Sequence, residues 1–239
     1  MKILVTGAAG FIGYHLCRKL IDLNHEVFGL DNLNDYYDVE LKKTRLLKLD
    51  NSKFTFNEID ISHNDKTLSC ISTIKPNLII NLAAQAGVRY SLENPNAYID
   101  SNIVGFGNIL EAARANNVKK LIYASSSSVY GNSKETPFSE ESQNIKPISL
   151  YAATKLSNEL IAKSYSYNFG LNLIGLRFFT VYGQYGRPDM AYYGFTEKIN
   201  NEKQITIYNE GKMSRDMTFV DDIVNGILGS ITYIMDNDE

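Results

Sequence analysis

Short apolar runs alternate with amphipathic stretches along most of this chain of 239 residues. The apolar runs predict strands over residues 1–6, 26–30, 54–60, 77–82, 120–124 and 171–177. Helical periodicity falls between them, over residues 12–23, 39–48, 65–74, 97–115 and 150–167. Strands that alternate with helices are typical of a parallel sheet, because parallel neighbours need crossover connections. The pattern therefore predicts an α/β fold with a doubly wound parallel sheet.

The first predicted strand runs directly into Gly7, Gly10 and Gly13. A strand that turns through spaced glycines into a helix can hold a dinucleotide. The glycines allow the tight turn and the close backbone approach, and the helix N-terminus faces the pyrophosphate. Asp31 closes the second strand, where a carboxylate can bond the adenosine ribose and repel a 2′-phosphate. We therefore expect a Rossmann-type fold that binds NAD in preference to NADP.

Composition and charge exclude several classes of partner and site. With 44% hydrophobic residues the chain can bury a full core, yet its apolar runs are too short to span a bilayer. A formal net charge of −3 without basic runs argues against nucleic acid as a partner. Cys17 and Cys70 are isolated and His15, His25 and His63 share no motif, so we expect no metal site. Because the first strand begins at the N-terminus, we expect no signal peptide and a cytoplasmic location.

The pattern Tyr-x-x-x-Lys occurs three times, beginning at Tyr130, Tyr151 and Tyr208. Only Tyr151 and Lys155 open a long predicted helix, in which residues four apart share a face. Four serines at 125–128 precede this pair, just past a predicted buried strand and so at the ligand end of the sheet. The pattern therefore selects one tyrosine–lysine pair as the candidate catalytic group.

The chemistry of a dehydrogenation suits this pair. A free phenol titrates near ~10 and is a poor base at neutral pH. A nearby ammonium group and the positive nicotinamide ring stabilise the phenolate and lower its pKa. The phenolate can then take a hydroxyl proton while hydride leaves the same carbon for NAD, and a serine hydroxyl can steady the charge on that oxygen.

The regular alternation of predicted strands and helices ends near residue 178. Residues 182–188 are typical of a loop. Beyond it the pattern predicts three elements, a helix over 190–201, a strand over 204–208 and a helix over 221–234. We interpret residues 1–177 as an NAD-binding Rossmann domain with the catalytic Ser, Tyr and Lys, and residues 178–239 as part of a smaller substrate-binding lobe.

Several motifs together resemble the extended short-chain dehydrogenase/reductase family. They are the glycine motif from Thr6, Asp31-Asn32-Leu33-Asn34, Asn81-Leu82-Ala83-Ala84, the serine run with Val129-Tyr130-Gly131, and Tyr151-x-x-x-Lys155. Within that family the chain is similar to nucleotide-sugar epimerases, and residues 84–91, 177–183 and 186–190 are similar to the UDP-glucuronate 4-epimerases. The resemblance implies an NAD-dependent isomerase of polysaccharide biosynthesis. It would interconvert UDP-glucuronate and UDP-galacturonate by transient oxidation at C4.

The resemblance also implies a role for each site residue. Ser126, 25 residues before Tyr151, would be the catalytic serine beside Tyr151 and Lys155. The residues in contact with NAD would be Gly7, Gly10, Phe11, Ile12, Gly13, Asp31, Asn32, Asp60, Ile61, Leu82, Ala83, Gln85, Asn102, Tyr151 and Lys155. The substrate carboxylate would lie among Ser127, Ser128, Thr180 and Arg187. Arg89 and Arg215 would reach the uridine diphosphate, although in isolation either arginine is more simply explained as a solvated charge.

Related activities remain as alternatives. Dehydratases of this family carry an Asp-Glu pair after the catalytic serine to move protons, and uronate decarboxylases tend to carry Glu in this segment. This chain has Ser127 and Ser128 there. A UDP-glucose or UDP-N-acetylglucosamine 4-epimerase is left open, as is a non-catalytic NAD-binding fragment.

The resemblance carries two further expectations about the assembly. It implies a homodimer that pairs through the helices predicted over 97–115 and 150–167. It also implies a longer chain than residues 1–239, so we expect the substrate lobe to be C-terminally truncated.

Overall fold

A sheet of six parallel strands is the centre of the fold. The structure is a computed structural model that describes residues 1–142, 145–207, 209–212 and 214–237. The strands are β1 (Lys2–Thr6), β2 (Glu26–Asp31), β3 (Phe54–Glu58), β4 (Leu78–Asn81), β5 (Lys120–Ser126) and β6 (Asn172–Phe178). Their order is β3-β2-β1-β4-β5-β6. The order reverses between β1 and β4, where such sheets open a crevice for a ligand, and the predicted fold class is confirmed.

Helices connect the strands and cover both faces of the sheet. They are α1 (Phe11–Asp22), α2 (Val39–Leu47), α3 (Asn64–Ile74), α4 (Tyr90–Glu93), α5 (Pro95–Tyr98), α6 (Gly105–Ala115), α7 (Leu150–Phe169), α8 (Ala191–Asn200) and α9 (Val220–Asp236). A π-helix (Ile99–Val104) joins α5 to α6, so the single helix predicted over 97–115 is divided. In the part of the chain that the structure describes, no helix has the length and apolar character to cross a membrane.

Two apolar layers, one on each face of the sheet, form the core. Successive side chains of β1 alternate between the layers, because strand residues point to opposite faces. Ile3 and Val5 lie in the layer that contains α1, whereas Leu4 lies in the layer that contains α3 and α6. Every residue of β4 is buried, as expected for a parallel strand that is covered on both sides.

The helix α9 packs against the sheet, in the apolar layer that contains α1. We predicted it in the smaller lobe, but Val224, Ile227, Ile231 and Ile234 lie in the same apolar layer as Tyr14 of α1. Amphipathic periodicity predicts a helix but not the surface that the helix covers. The division of the chain into two domains stays a prediction, with α9 on the face of the sheet.

A second, smaller sheet follows β6. It consists of β7 (Thr180–Tyr182) and β8 (Met217–Phe219), which pair in parallel with Thr180 beside Met217. The strand predicted over 204–208 is wrong in its described part, because residues 204–207 are irregular, and Tyr208 lies outside the described residues.

Candidate active site

The glycine turn after β1 leaves no space for side chains. Gly7 has a φ of +70°, and a Cβ there would lie 2.9 Å from the backbone nitrogen of Ala83. A Cβ on Gly10 or Gly13 would lie 2.9 or 2.0 Å from the carbonyl oxygen of Gly7. The turn therefore packs backbone against backbone at the switch point of the sheet. Thr6 fixes the neighbouring strand end, because its hydroxyl accepts a hydrogen bond of 3.1 Å from the Ala83 N–H.

This turn has the form of a phosphate cradle. Gly10 is the N-cap of α1 and has no side chain to cap the helix, so the first amide groups of α1 are left for a ligand. The positive end of the helix dipole lies at the same place. The turn is therefore suited to hold the pyrophosphate of a dinucleotide.

Asp31 lies beside the turn at the end of β2. Its carboxylate accepts hydrogen bonds from the N–H groups of Ala9, at 3.2 Å, and Leu33, at 2.9 Å. Burial raises the pKa of Asp31, and the charge of Lys42 and the two backbone N–H groups oppose that rise. The carboxylate is thus in place next to the glycine turn.

Asn32 and Asp60 lie together on the adjacent strand ends. The Asn32 amide donates to the Asp60 carboxylate at 2.8 Å, and the Ser62 N–H donates to the same carboxylate at 2.8 Å. Burial would raise the pKa of Asp60, but the hydrogen bonds from Ser62 and Asn32 outweigh it and lower that pKa. Ile61 follows directly and is buried.

The fold brings Ser126, Tyr151 and Lys155 together. Ser149 caps α7 by accepting from the Ala152 N–H at 3.1 Å, which places Tyr151 and Lys155 in the first two turns of that helix. The Lys155 ammonium is buried and donates to the carbonyl oxygen of Ala124 in β5, at 2.9 Å. Ser126 ends the same strand. One strand end and one helix start thus form the site.

Burial shifts the pKa values of both candidate catalytic groups. It lowers the pKa of Lys155 to about 8. It raises the pKa of Tyr151, against the lowering effects of a hydrogen bond to Ser126 and of the charge of Arg187. The predicted effect of Lys155 and bound NAD on the pKa of Tyr151 stays a prediction.

Of the other two Tyr-x-x-x-Lys patterns, the one that begins at Tyr130 lies within the described residues, in a short turn and not in a long helix. Tyr130 is buried in the 3-10 turn Ser127–Tyr130. Its ring stacks on the ring of Phe138, with the two ring centroids 4.7 Å apart. Tyr208 lies outside the described residues.

Asn102 connects the segment after β4 to α7. Its amide oxygen accepts from the Gln85 N–H at 2.8 Å, and its amide nitrogen donates to the Gln85 carbonyl and the Thr154 hydroxyl, both at 3.0 Å. Asn102 lies in the π-helix, and its own carbonyl accepts from the Asn158 amide at 2.6 Å. The contact of Asn102 with NAD stays a prediction. In this structure its amide group bonds Gln85 and Thr154.

A partly buried ion pair that sequence reasoning missed lies behind the serine run. Glu159 of α7 accepts a bidentate pair of bonds from Arg177 of β6, at 2.9 and 2.8 Å. The Ser125 hydroxyl donates to the same carboxylate at 2.5 Å. Tyr151, Lys155 and Glu159 follow one another at intervals of four along α7, and this spacing was the signal available in the sequence.

The charge of Arg187 acts on Tyr151, since it opposes the rise that burial causes in the pKa of that tyrosine. Its guanidinium makes a bidentate ion pair with Asp189, whose carboxylate also accepts from the Tyr36 hydroxyl at 3.1 Å. Burial alone would lower the pKa of Arg187. The hydrogen bonds and charge of Asp189 outweigh that effect, so the pKa of Arg187 is raised. A cationic group able to bind carboxylates is therefore held near the candidate base.

The remaining predicted substrate residues have different settings. Ser127 and Ser128 open the 3-10 turn after Ser126, and the hydroxyls of Ser126 and Ser128 are 2.5 Å apart. Thr180 begins β7. Arg89 and Arg215 are exposed at the surface, before α4 and β8. No group of three or more potential metal ligands occurs among the residues that the structure describes.

Comparison with known proteins identifies the family. Residues 3–237 match the NAD dependent epimerase/dehydratase family. The chain belongs to this family. The resemblance found in the sequence motifs is therefore confirmed, and so is NAD as the cofactor. The start of α1, whose N-cap Gly10 provides no side-chain cap, fits the binding of the NAD pyrophosphate.

Individual family members show the extent of the similarity. The chain is 56% identical over 227 residues to Protein CapI of Staphylococcus aureus, across 95% of this chain and 68% of that protein. It is 48% identical over 230 residues to a probable UDP-glucuronate 4-epimerase of Rhizobium meliloti, across 95% and 67%. The crystal structure of UDP-glucuronic acid 4-epimerase from Bacillus cereus, in complex with UDP-glucuronic acid and NAD, superposes with a TM-score of 0.90 at 38% identity. That match covers 97% of this chain and 73% of the other.

Proposed function

We propose that this protein is a 4-epimerase of UDP-hexuronic acids, which interconverts UDP-glucuronate and UDP-galacturonate. The observation that carries the proposal is the placement of Ser126, Tyr151 and Lys155 at one strand end, with the charge of Arg187 acting on Tyr151. The similarity to two proteins named as UDP-glucuronate 4-epimerases supports the choice of substrate.

Tyr151 is the base in this proposal. Its phenolate takes the proton of the C4 hydroxyl and later returns it, and Ser126 donates a hydrogen bond to the same substrate oxygen. Bound NAD supplies the hydride acceptor. Lys155, whose burial lowers its pKa to about 8, holds its ammonium at the carbonyl of Ala124 and so keeps a positive charge beside the cofactor site.

The glycine turn and three strand ends would hold NAD. The turn through Gly7, Gly10 and Gly13 would let the pyrophosphate approach the start of α1, where Phe11 and Ile12 lie. Asp31 and Asn32 face the adenosine ribose. The further contacts in this proposal are Asp60, Ile61, Leu82, Ala83, Gln85, Asn102, Tyr151 and Lys155.

A uronic acid makes a specific demand on the site. Oxidation at C4 places a ketone β to the C5 carboxylate, and β-keto acids readily lose carbon dioxide. The site must therefore hold the carboxylate so that its bond to C5 stays poorly aligned with the carbonyl π system. Arg187, with Ser127, Ser128 and Thr180, supplies charge-assisted hydrogen bonds that can fix that orientation. Arg187 already binds one carboxylate, that of Asp189.

The proposal includes the assembly and the location. Two copies would pair through α6 and α7. Arg89 and Arg215 would contact the uridine diphosphate of the substrate. Residues 178–239 would include the substrate lobe, with α9 packed on the sheet. The protein would act in the cytoplasm. A dimer predicts a molar mass twice that of the chain by light scattering at micromolar concentration, and a monomer would contradict it.

Removal of the Arg187 guanidinium tests the substrate assignment. In Arg187→Ala we expect the KM for UDP-glucuronate to rise by about 10- to 100-fold, the scale of charge-assisted hydrogen bonds. We also expect more decarboxylated pentose product. Arg18→Ala, which removes an exposed arginine of α1, is the matched control and should change neither quantity. If the unmutated protein epimerises UDP-glucose faster than UDP-glucuronate, the carboxylate assignment is wrong and a UDP-glucose 4-epimerase takes its place.

A further inference from the structure

Arg45 of α2 is a fully buried cation. Its relative exposure is 0%, and among the described residues its hydrogen bonds go to backbone carbonyls and one phenol. Nη1 donates to the carbonyl oxygen of Ala9 at 2.8 Å and to the hydroxyl of Tyr37 at 2.6 Å. Nη2 donates to the carbonyls of Tyr185, at 2.6 Å, and Gly186, at 3.4 Å. One guanidinium thus joins two loops that are distant in sequence.

Both loops belong to the candidate active site. Ala9 lies in the glycine turn, and its N–H is held by Asp31 while its carbonyl is held by Arg45. The residues Tyr185 and Gly186 come directly before Arg187. Arg45 therefore links the loop that carries Arg187 to the middle of the glycine turn.

A buried cation is costly unless its charge and its donors are compensated. The carbonyl oxygens satisfy the donors of Arg45. The Asp31 carboxylate acts on its charge, but Asp31 also interacts with the charge of Lys42. A dinucleotide bound at the glycine turn would bring the two negative charges of its pyrophosphate to the turn that contains Ala9. Bound NAD should therefore strengthen the hold of Arg45 on the Tyr185 carbonyl, because it stabilises the buried charge.

Other contacts fix the loop independently of Arg45. The Nε2 of His15 donates to the Gln184 carbonyl at 2.8 Å, and the rings of Tyr14 and Tyr185 meet edge to face at 5.4 Å. These contacts come from α1 and do not pass through Ala9. The loop can thus stay in place when Arg45 is changed, while its link to the glycine turn is lost.

We propose that Arg45 is a positioning residue that couples the dinucleotide turn to the loop carrying Arg187, so that bound NAD orders this loop. Any effect of this ordering on how Arg187 binds the substrate carboxylate rests on the proposed function. The coupling itself needs only NAD and this chain.

Hydrogen exchange of the chain, followed by mass spectrometry with and without NAD, tests the coupling. We expect NAD to slow exchange of the amides in residues 183–191 by about tenfold, the scale of one hydrogen bond to a charged group. ADP, which has the pyrophosphate but no nicotinamide, should produce the same slowing. In Arg45→Lys, which keeps the charge but loses the planar fork, the difference between free and bound protein should disappear while NAD still binds.

Arg114→Lys is the matched control, since Arg114 is exposed on α6 and forms an ion pair with Glu111 of the same helix. It should keep the full effect. If Arg45→Lys does not fold, Tyr37→Phe removes one partner of the same guanidinium and should reduce the effect.

Two results would overturn the coupling. In one, NAD binds the unmutated chain by titration but leaves exchange in residues 183–191 unchanged. In the other, folded Arg45→Lys, or Tyr37→Phe in its place, retains the full NAD-dependent slowing. A failure of NAD to bind at all would instead overturn the cofactor site, and the titration separates these cases.

Discussion

A methyl group at Gly13 would collide with the glycine turn. The added Cβ would lie 2.0 Å from the Gly7 carbonyl oxygen, 2.8 Å from the Gly7 carbonyl carbon and 3.0 Å from the Cα of Ala8. Non-bonded heavy atoms need about 3.5 Å, so the turn must move by about 1.5 Å relative to α1. All three obstacles are backbone atoms, and no side-chain rotation can relieve them.

The structure sets the size of the effect of Gly13→Ala. Overpacking costs about 1–3 kcal/mol, and loss of the 2.9 Å hydrogen bond from the Gly10 N–H to the Gly7 carbonyl adds about 1 kcal/mol. We expect the free energy of unfolding to fall by about 2–4 kcal/mol in urea titrations followed by circular dichroism. A misplacement of this size should also weaken NAD binding by about 100-fold or more, measured by calorimetric titration.

Gly107→Ala is the matched control. Gly107 lies in α6, and a Cβ there would meet no atom within 4 Å. Alanine favours a helix over glycine, so this variant should be more stable by up to about 1 kcal/mol and should bind NAD as the parent does. The reasoning would be refuted if Gly13→Ala bound NAD as tightly as the parent, because the turn would then not be where the pyrophosphate lies.

Three further predictions concern titratable groups of the site. Tyr151→Phe should lower turnover by about 100-fold or more, the scale of general acid–base catalysis, with NAD still bound. Tyr130→Phe should lower turnover much less. Near-normal turnover in Tyr151→Phe would show that Tyr151 is not the base. Asp31→Ala should relax the preference for NAD over NADP in titrations without unfolding the protein, and a parent that already prefers NADP would contradict that role. Because burial lowers the pKa of Lys155 to about 8 from 10.5, the unfolded chain binds more protons between these values. The parent should therefore gain free energy of unfolding relative to Lys155→Met as the pH rises from about 8 to 10, by up to about 1.4 kcal/mol per pH unit, and parallel curves would contradict this.

Local patterns were sufficient to predict the elements that build the cofactor site. The apolar run of β1, the glycine spacing and the start of α1 are contiguous in sequence, so their geometry follows from the chain itself. The same holds for Tyr151 and Lys155, which share one helix face.

Contacts between distant residues could not be predicted in this way. Periodicity identified α9 as a helix, but the layer that it covers depends on α1 and the sheet. The pairing of Asn102 with Gln85 and Thr154 requires the π-helix, which no local pattern indicated. The contact of Arg45 with Tyr185 spans 140 residues and becomes visible only in the folded chain.

The central claim is that hydride leaves C4 of a UDP-hexuronic acid and returns to the same carbon. Incubation of the NAD-loaded protein with UDP-glucuronate that carries deuterium at C4, followed by mass spectrometry and nuclear magnetic resonance of the product, tests it directly. We expect the product to be UDP-galacturonate that retains the deuterium at C4, with no lasting accumulation of reduced cofactor. Deuterium lost to the solvent, or a protein that leaves UDP-glucuronate unchanged while it epimerises UDP-glucose, would contradict it.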